Sequence, residues 1–543
     1  MPGPLSCRAV KDEGEPLLYE EQQVEKTPGK QLFADDYFIE SMAGVRRVLR
    51  RPRKLTAERP LDIPLDRPWE SGQVQFSPII YDERNRLFRL YYTAWIGDRQ
   101  LLCALDSEDG VKWERPRLGL VEWDGSTDNN ITNCPPAGLT ICWDPREREE
   151  NFRWKRVDNK PTGTSADGEP EWRAFHSRDG YDWHPCPPGT HSAQKMLFNF
   201  GSPAETFGGA VDPDAEYVCY SQRGSGRRTR VLGRRDSRDF LNWSGLRTVI
   251  DQDLDDPPGT EFYSAAFDSA NRTEGGLHIL MLHTYLTDVT ESYAIEDPQA
   301  YWGHGGETGP SALAARVDGL VDTQLAVSRD TMAWRRFRQP FIPRGEPGAW
   351  DWGMLFADAP ILHEEQLWLF YGACGLTHNG RTAQRGEQPY STPKSWGKGV
   401  AVLRPDGYVG IEAESYAPGV LTTHRFRQES GGSIRVNADA AAGELRYELL
   451  EDTGACIPGY GVADCAPIRE DTLDGVLSWG SSPGWPAVGD RRKNRCPGLS
   501  PSEFYVKLRF HIAPGTTLYS LTLHPPEAAV WGSGRAGKDR VRE

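Results

Sequence analysis

The chain has no run of about 18 apolar residues, so no segment of it reads as a membrane-crossing helix. It has no CxxC pair and no HExxH pair, which removes the common zinc frameworks from its ten cysteines and eleven histidines. No lysine–arginine run is long enough to offset a net charge of −15, which excludes nucleic acid as a partner. The one basic cluster, Arg46 to Lys54, alternates as a solvated edge strand does. The first 30 residues are acidic and lack an apolar core, so no signal peptide is expected and the cytoplasm is the default compartment. Cys134/Cys142 and Cys456/Cys465 are spaced for bridges, but all ten cysteines read as buried thiols in a reducing compartment.

What the chain does contain is tryptophan (18), proline (41) and glycine (56), spread along its whole length. Turn residues at such density suit many short strands, and 543 residues exceed what one core organises. A repeat underlies this texture. The pattern Ser-x-Asp-x-x-x-Trp occurs at Ser107–Trp113, Ser177–Trp183, Ser237–Trp243 and Ser328–Trp334, with starts 70, 60 and 91 residues apart. A degenerate fifth copy without the Trp spans Leu403 to Val409. The Asp side chain can bond the backbone of a tight turn, Gly110 and Gly180 supply positive φ, and the Trp packs between neighbouring sheets. These motifs are structural, so their aspartates are not expected to be catalysts.

Two strands precede each copy: 75–83 and 87–95, 139–145 and 151–159, 205–213 and 216–222, 261–269 and 277–285, and 354–362 and 366–374. Each unit thus reads as four strands, with the Ser-x-Asp turn between the outer two. Beyond Gly410 the turns stop, and short strands separated by Gly/Pro turns follow. The expected fold is all-β: a five-bladed β-propeller over 31–410 and a C-terminal antiparallel β-sandwich over 411–525. Residues 1–30 form an extension and 526–543 a tail, both poorly ordered.

On strand order, the starts of the inner strands share one face around a central channel. An acid lies near each start: Glu70, Asp128, Glu205, Glu261 and Asp351. Hydrolysis of a glycosidic bond needs one carboxyl group to protonate the leaving oxygen and a second to attack or to activate water. Glu205, Glu261, Glu70 and Asp351 are the candidate catalytic acids. Asp36, Asp128, Tyr263, Asp322, Gln324, Trp352 and His378 are candidates for holding a sugar. Trp302, Trp350, His283 and the long loops over 286–320 and 375–399 fall on the same face. No cofactor is required. A Ca²⁺ ion in the channel would relieve crowded carboxylates, although nothing in the spacing demands one.

The segments Leu32–Glu40, Arg67–Glu70, Ser107–Leu120, Asp128–Ile131, Asp322–Asp330, Trp350–Met354 and Leu518–Leu523 carry a resemblance. With five units and a C-terminal sandwich, the chain resembles the arabinanase/levansucrase/invertase superfamily of five-bladed propeller glycoside hydrolases, in a bacterial branch of it. The resemblance implies a carbohydrate substrate and carboxylates on inner strands acting as nucleophile or base, stabiliser and general acid. Glu205 and Glu261 fill those roles by position. The opening Trp-Met-Asn-Asp-Pro-Asn-Gly of invertases is absent, which argues against a fructosidase. Two alternatives remain open: a non-catalytic sugar-binding propeller, and a six-bladed sialidase-like enzyme. The latter would need an arginine cluster, for which Arg227, Arg228 and Arg230 on one loop are a poor match.

Overall fold

The computed structural model describes residues 29–134, 141–144, 147–157, 163–164, 170–171, 174–186, 206–209, 217–224, 230–240, 244, 247–267, 277–287, 319–378, 396–429, 432–480, 482–483 and 503–524. Among these the chain is β throughout, with two short 3₁₀ turns at Pro68–Glu70 and Glu150–Phe152 as its helical elements. No described helix is long and apolar enough to cross a membrane.

Five antiparallel meanders follow one another. The first consists of Val74–Asp82, Leu87–Ile96 and Arg99–Ser107. In the second, Ile141–Trp143, Trp154–Val157, Ala174–Ser177 and Trp183–Pro185 pair in sequence order. The third runs Thr206–Gly209, Tyr217–Gly224, Arg230–Ser237 and Arg247–Ile250. The fourth runs Thr260–Phe267, His278–Thr287, Gly319–Ser328 and Arg335–Ile342. The fifth pairs Met354–Ala357 with Gln366–Cys374, and Gln366–Cys374 with Gly397–Leu403. Its outermost strand was expected to follow the degenerate turn at 403–409. Instead Arg53–Lys54, from far earlier in the chain, takes that edge by pairing with Ala401 and Val402. Val409–Ala413 is drawn away because it pairs with Val45–Leu49.

Each meander touches the next. Tyr91, Leu102 and Ala104 of the first pack with Trp154, Phe175 and Trp183 of the second. The strand Thr206–Gly209 contacts both Ile141–Trp143 and Thr260–Phe267. Val321 of the fourth bridges Met354 of the fifth in parallel, and Gln366–Cys374 contacts Val74–Asp82 of the first. The contacts therefore run from the first meander through to the fifth and back to the first.

The Ser-x-Asp turns form as their chemistry requires. Asp109 Oδ1 accepts the Val111 and Lys112 N–H groups at 2.9 and 2.7 Å. Asp179 does the same for Tyr181 and Asp182, and Asp330 for Met332 and Ala333. The fourth residue of each turn is left-handed: φ is +71° at Gly110, +82° at Gly180, +66° at Phe240 and +61° at Thr331. Phe240 and Thr331 adopt a conformation that side chains with a Cβ disfavour. Thr331 is held there by Ser328 Oγ, which accepts its N–H at 2.8 Å, and by Tyr220, whose hydroxyl donates to its carbonyl at 2.8 Å.

Beside two two-stranded ribbons, Gly163–Thr164 with Pro170–Glu171 and Ser478–Trp479 with Ser482–Pro483, there are two larger sheets. One orders Val45–Leu49, Val409–Ala413, Thr517–His524, Ser433–Asp439 and Asp471–Val476, with Gly29–Leu32 also on Thr517–His524. The other orders Ile39–Ala43, Gly419–Thr423, Glu503–Ile512 and Phe426–Glu429, with Leu445–Leu450 also on Glu503–Ile512. Both feed one apolar cluster that includes Phe38, Val45, Leu421, Val436, Tyr447, Phe510 and Leu521. The strands within residues 31–49, expected as part of the 31–410 unit, pair with the sheets of the C-terminal half. This correction rests on long-range pairing: Gln31 lies opposite Leu521 and Met42 opposite Leu421. The described cysteines are unbridged, and all but Cys456 are buried.

Candidate functional site

The start of the fourth meander's first strand carries the richest chemistry among the described residues. Glu261, opposite Tyr285 in the ladder, is 4% exposed. Arg230, the first residue of a strand in the preceding sheet, donates from Nη1 to Glu261 Oε2 at 2.8 Å. The guanidinium carbon lies 5.4 Å from the Tyr263 ring centre and 5.2 Å from that of Tyr285. A break in register between Phe262 and Ser264 sets Tyr263 out of the ladder, as a bulge does. Gln222 donates to the Tyr263 carbonyl at 3.2 Å. Burial pushes the Tyr263 phenol up, against the pull of Arg230.

His378 joins this group from the fifth meander, with Nε2 3.4 Å from the Tyr263 hydroxyl and its ring 4.9 Å from that of Tyr285. Phe356 and Trp396 extend the aromatic surface, with ring centres 5.8 Å apart. The structure thus brings Glu261, Tyr263 and His378 together. Arg230 is what reasoning from sequence missed as a partner for Glu261. Its only sequence signal was membership of an arginine-rich loop.

Other candidates are placed differently. Glu70 closes the 3₁₀ turn at Pro68–Glu70: it accepts the Arg67 N–H at 2.9 Å and Arg115 Nη2 at 2.8 Å, and it also accepts the Tyr92 hydroxyl. Asp351 is fully buried and accepts Lys54 Nζ at 2.6 Å, so its carboxylate is turned toward the outermost strand of its sheet. Asp322 accepts Arg344 Nε at 2.6 Å, and Arg344 also donates to the Trp352 carbonyl at 2.6 Å, which ties these two candidates together. Gln324 spends its amide on the Arg338 carbonyl. Asp128 is exposed beside Arg117. Two residues on, the buried Asn130 donates to the Tyr92 hydroxyl at 2.9 Å. Asp36 is exposed between Arg47 and Arg335, and Asp35 beside it takes Arg329 of a Ser-x-Asp turn. Asp36 therefore sits beside the Ser-x-Asp turn of the fourth meander. Trp350 stacks on Tyr371 at 5.7 Å. Glu205, Trp302, residues 288–318 and residues 379–395 lie outside the described residues. Among the described residues no three His, Cys, Asp or Glu side chains gather as a metal site.

His283 packs edge-on against Phe356, ring centres 5.2 Å apart, and is bonded through Nδ1 to Ser264 and through Nε2 to the Ala357 carbonyl at 2.9 Å. Burial lowers its pKa to about 4, and Lys398 adds to the effect. His278 on the same strand is also lowered to about 4, by burial and then by Arg234 and Arg329. In both cases the unfolded chain takes up a proton near pH 6.5 and the native protein does not. Their stabilising contribution is therefore complete above pH 6.5 and is lost as pH falls toward 4, by roughly 3 kcal/mol each at most. Asp358, which accepts Lys398 Nζ at 2.7 Å, is raised by burial and opposes this loss in acid. Urea unfolding should show a lower midpoint at pH 4.5 than at pH 7, and His283→Gln should flatten the dependence. Equal midpoints would refute it.

No protein family matches the chain, and no curated protein sequence does. Solved structures similar to it include a glycoside hydrolase at 13% identity, covering 65% of this chain and 93% of that one, with a TM-score of 0.39. A glycosyl hydrolase from Bacteroides ovatus is 15% identical over 69% of this chain and 97% of its own, at a TM-score of 0.33. A Bombyx mori GH32 beta-fructofuranosidase is 11% identical over 88% and 94%, at 0.35.

Proposed function

We propose that the protein is a glycoside hydrolase whose active site is built around Glu261. In this reading the five meanders are the blades of a β-propeller over 51–408. Residues 29–49 and 409–524 form a β-sandwich beside it. The closed sequence of contacts between meanders supports the first part, and the single apolar cluster shared by two sheets supports the second.

The observation that carries the activity is the group of Arg230, Glu261, Tyr263 and His378 at the start of an inner strand. In this reading Glu261, whose Oε2 accepts from the Arg230 guanidinium, serves as nucleophile or base. Glu205, which immediately precedes Thr206 of the neighbouring inner strand, is the proton donor in this scheme. The two acids divide the chemistry that glycosidic cleavage requires. Tyr263, Phe356 and Trp396 offer aromatic faces to a sugar ring.

A second reading has its own support. Glu70, Asp351 and Glu261, three of the four candidate acids, are each paired with a cation, an arrangement that suits a propeller which binds sugar without cleaving it. Incubation with 4-nitrophenyl glycosides and with plant and algal oligosaccharides separates the two. Release of nitrophenol or of reducing sugar is expected. Calorimetric binding without release selects the second reading, and neither signal overturns both.

A further inference from the structure

We infer that Arg230 is the positioning residue of this site: it fixes the Glu261 carboxylate before substrate arrives, and it acts on the reaction through Glu261 rather than by touching the sugar. The inference rests on the glycosidase reading and deepens it.

Three observations carry it. The contact crosses between sheets, since Arg230 opens a strand of the third meander and Glu261 lies on the inner strand of the fourth. The carboxylate orientation therefore depends on a neighbour that its own sheet does not supply. The guanidinium is itself confined, with the rings of Tyr263 and Tyr285 both within cation–π range. Finally, the pair is shielded, with side chains only 17% and 5% exposed, so water competes little for the hydrogen bond. A planar guanidinium suits this slot between two phenols and a carboxylate. A lysine ammonium is a point charge on a flexible stem and would not reproduce the arrangement.

The test is kinetic and uses the full chain with an aryl glycoside that the wild type turns over. Arg230→Ala should lower kcat by about 100-fold, the cost of misplacing a reacting group by an ångström. KM should stay within about threefold, because no sugar contact is removed. Millimolar guanidinium should restore much of the lost kcat by filling the vacated slot, whereas urea, which has a similar shape and no charge, should not. Arg230→Lys should fall between the two. It also provides the reading should Arg230→Ala fail to fold, which its thermal melt reports.

An unchanged kcat, a change confined to KM, or equal rescue by urea would overturn the inference while leaving the glycosidase reading intact. Absence of turnover by the wild type shows itself before any variant is made, and removes both.

Discussion

Glu261→Gln is expected to lower kcat by about 10²–10⁴-fold, the usual worth of a catalytic acid or base. The amide keeps the shape of the side chain and can still accept from Arg230, so the fold should survive, with a melting temperature within a few degrees of wild type. On the proposed role, what is lost is the carboxylate oxygen that attacks the anomeric carbon or takes a proton from water. Glu205→Gln should cause a loss of the same order, and should also remove one limb of the pH–rate profile, because its proposed duty is to deliver a proton. Glu70→Gln provides the contrast. Glu70 is enclosed by Arg67, Arg115 and Tyr92, so its replacement should lower the melting temperature and leave kcat of the folded fraction near wild type. The proposal would be sunk by a Glu261→Gln enzyme as fast as its parent.

The largest expected effect on stability comes from Arg89→Met, at about 3–5 kcal/mol, the cost of breaking a buried charge pair from one side. Arg89 lies on the second strand of the first meander and is 1% exposed. Nε donates to Asp106 at 3.1 Å and Nη2 to the Tyr181 hydroxyl at 2.5 Å, while Nη1 donates to the Asp179 carbonyl of the neighbouring Ser-x-Asp turn. Its guanidinium carbon is 3.8 Å from the Tyr181 ring centre and 4.9 Å from that of Trp154. Tyr91 adds a hydrogen bond to the Gly180 carbonyl at 2.7 Å. The turn fits under this clamp because Gly180 has no side chain: a Cβ there would lie 2.5 Å from Arg89 Nη1. Methionine keeps the bulk and abandons Asp106, so the loss reports charge pairing rather than a cavity. The same device recurs two meanders on, where Arg234 donates to the Asp330 carbonyl at 3.2 Å and Tyr220 to that of Thr331. Urea unfolding followed by tryptophan fluorescence measures the effect, and a loss below about 1 kcal/mol, the scale of a surface pair, contradicts it.

The Ser-x-Asp turns were legible from sequence because every bond that makes them closes within four residues. Ser107, Asp109 and Gly110 interact with one another, and no distant partner is needed to recognise them. The clamps that hold those turns were not legible. Arg89 and Asp179 are 90 residues apart and meet only when two sheets pack. The same limit explains the outer strand of the fifth meander, where Arg53–Lys54 carries no mark of the partner it will find. At the candidate site, Glu261 was readable as an acid at the start of an apolar strand. In the Asp128 segment the buried residue is Asn130, two places on, while Asp128 is exposed beside Arg117. Asp36, another acid at a promising place, pairs with Arg335 of the fourth meander, a partner that only tertiary folding supplies.

The pairing of Gly29–Leu32 with Thr517–His524 gives the molecule a particular biography. A ribosome adding roughly 5–20 residues each second needs on the order of a minute to travel from one strand to the other. Val45–Leu49 and Ile39–Ala43 wait for Val409–Ala413 and Gly419–Thr423, and Gly29–Leu32 waits longest; Phe33 and Phe38, fully covered in the finished protein, lie in the stretch that waits. The repeat units can meanwhile be made one after another, each beside its predecessor. The pairing of Gly29–Leu32 joins an early thread to one of the last to be made. Fragments cut near residue 410 would separate the two, leaving a C-terminal piece with raw sheet margins prone to self-association.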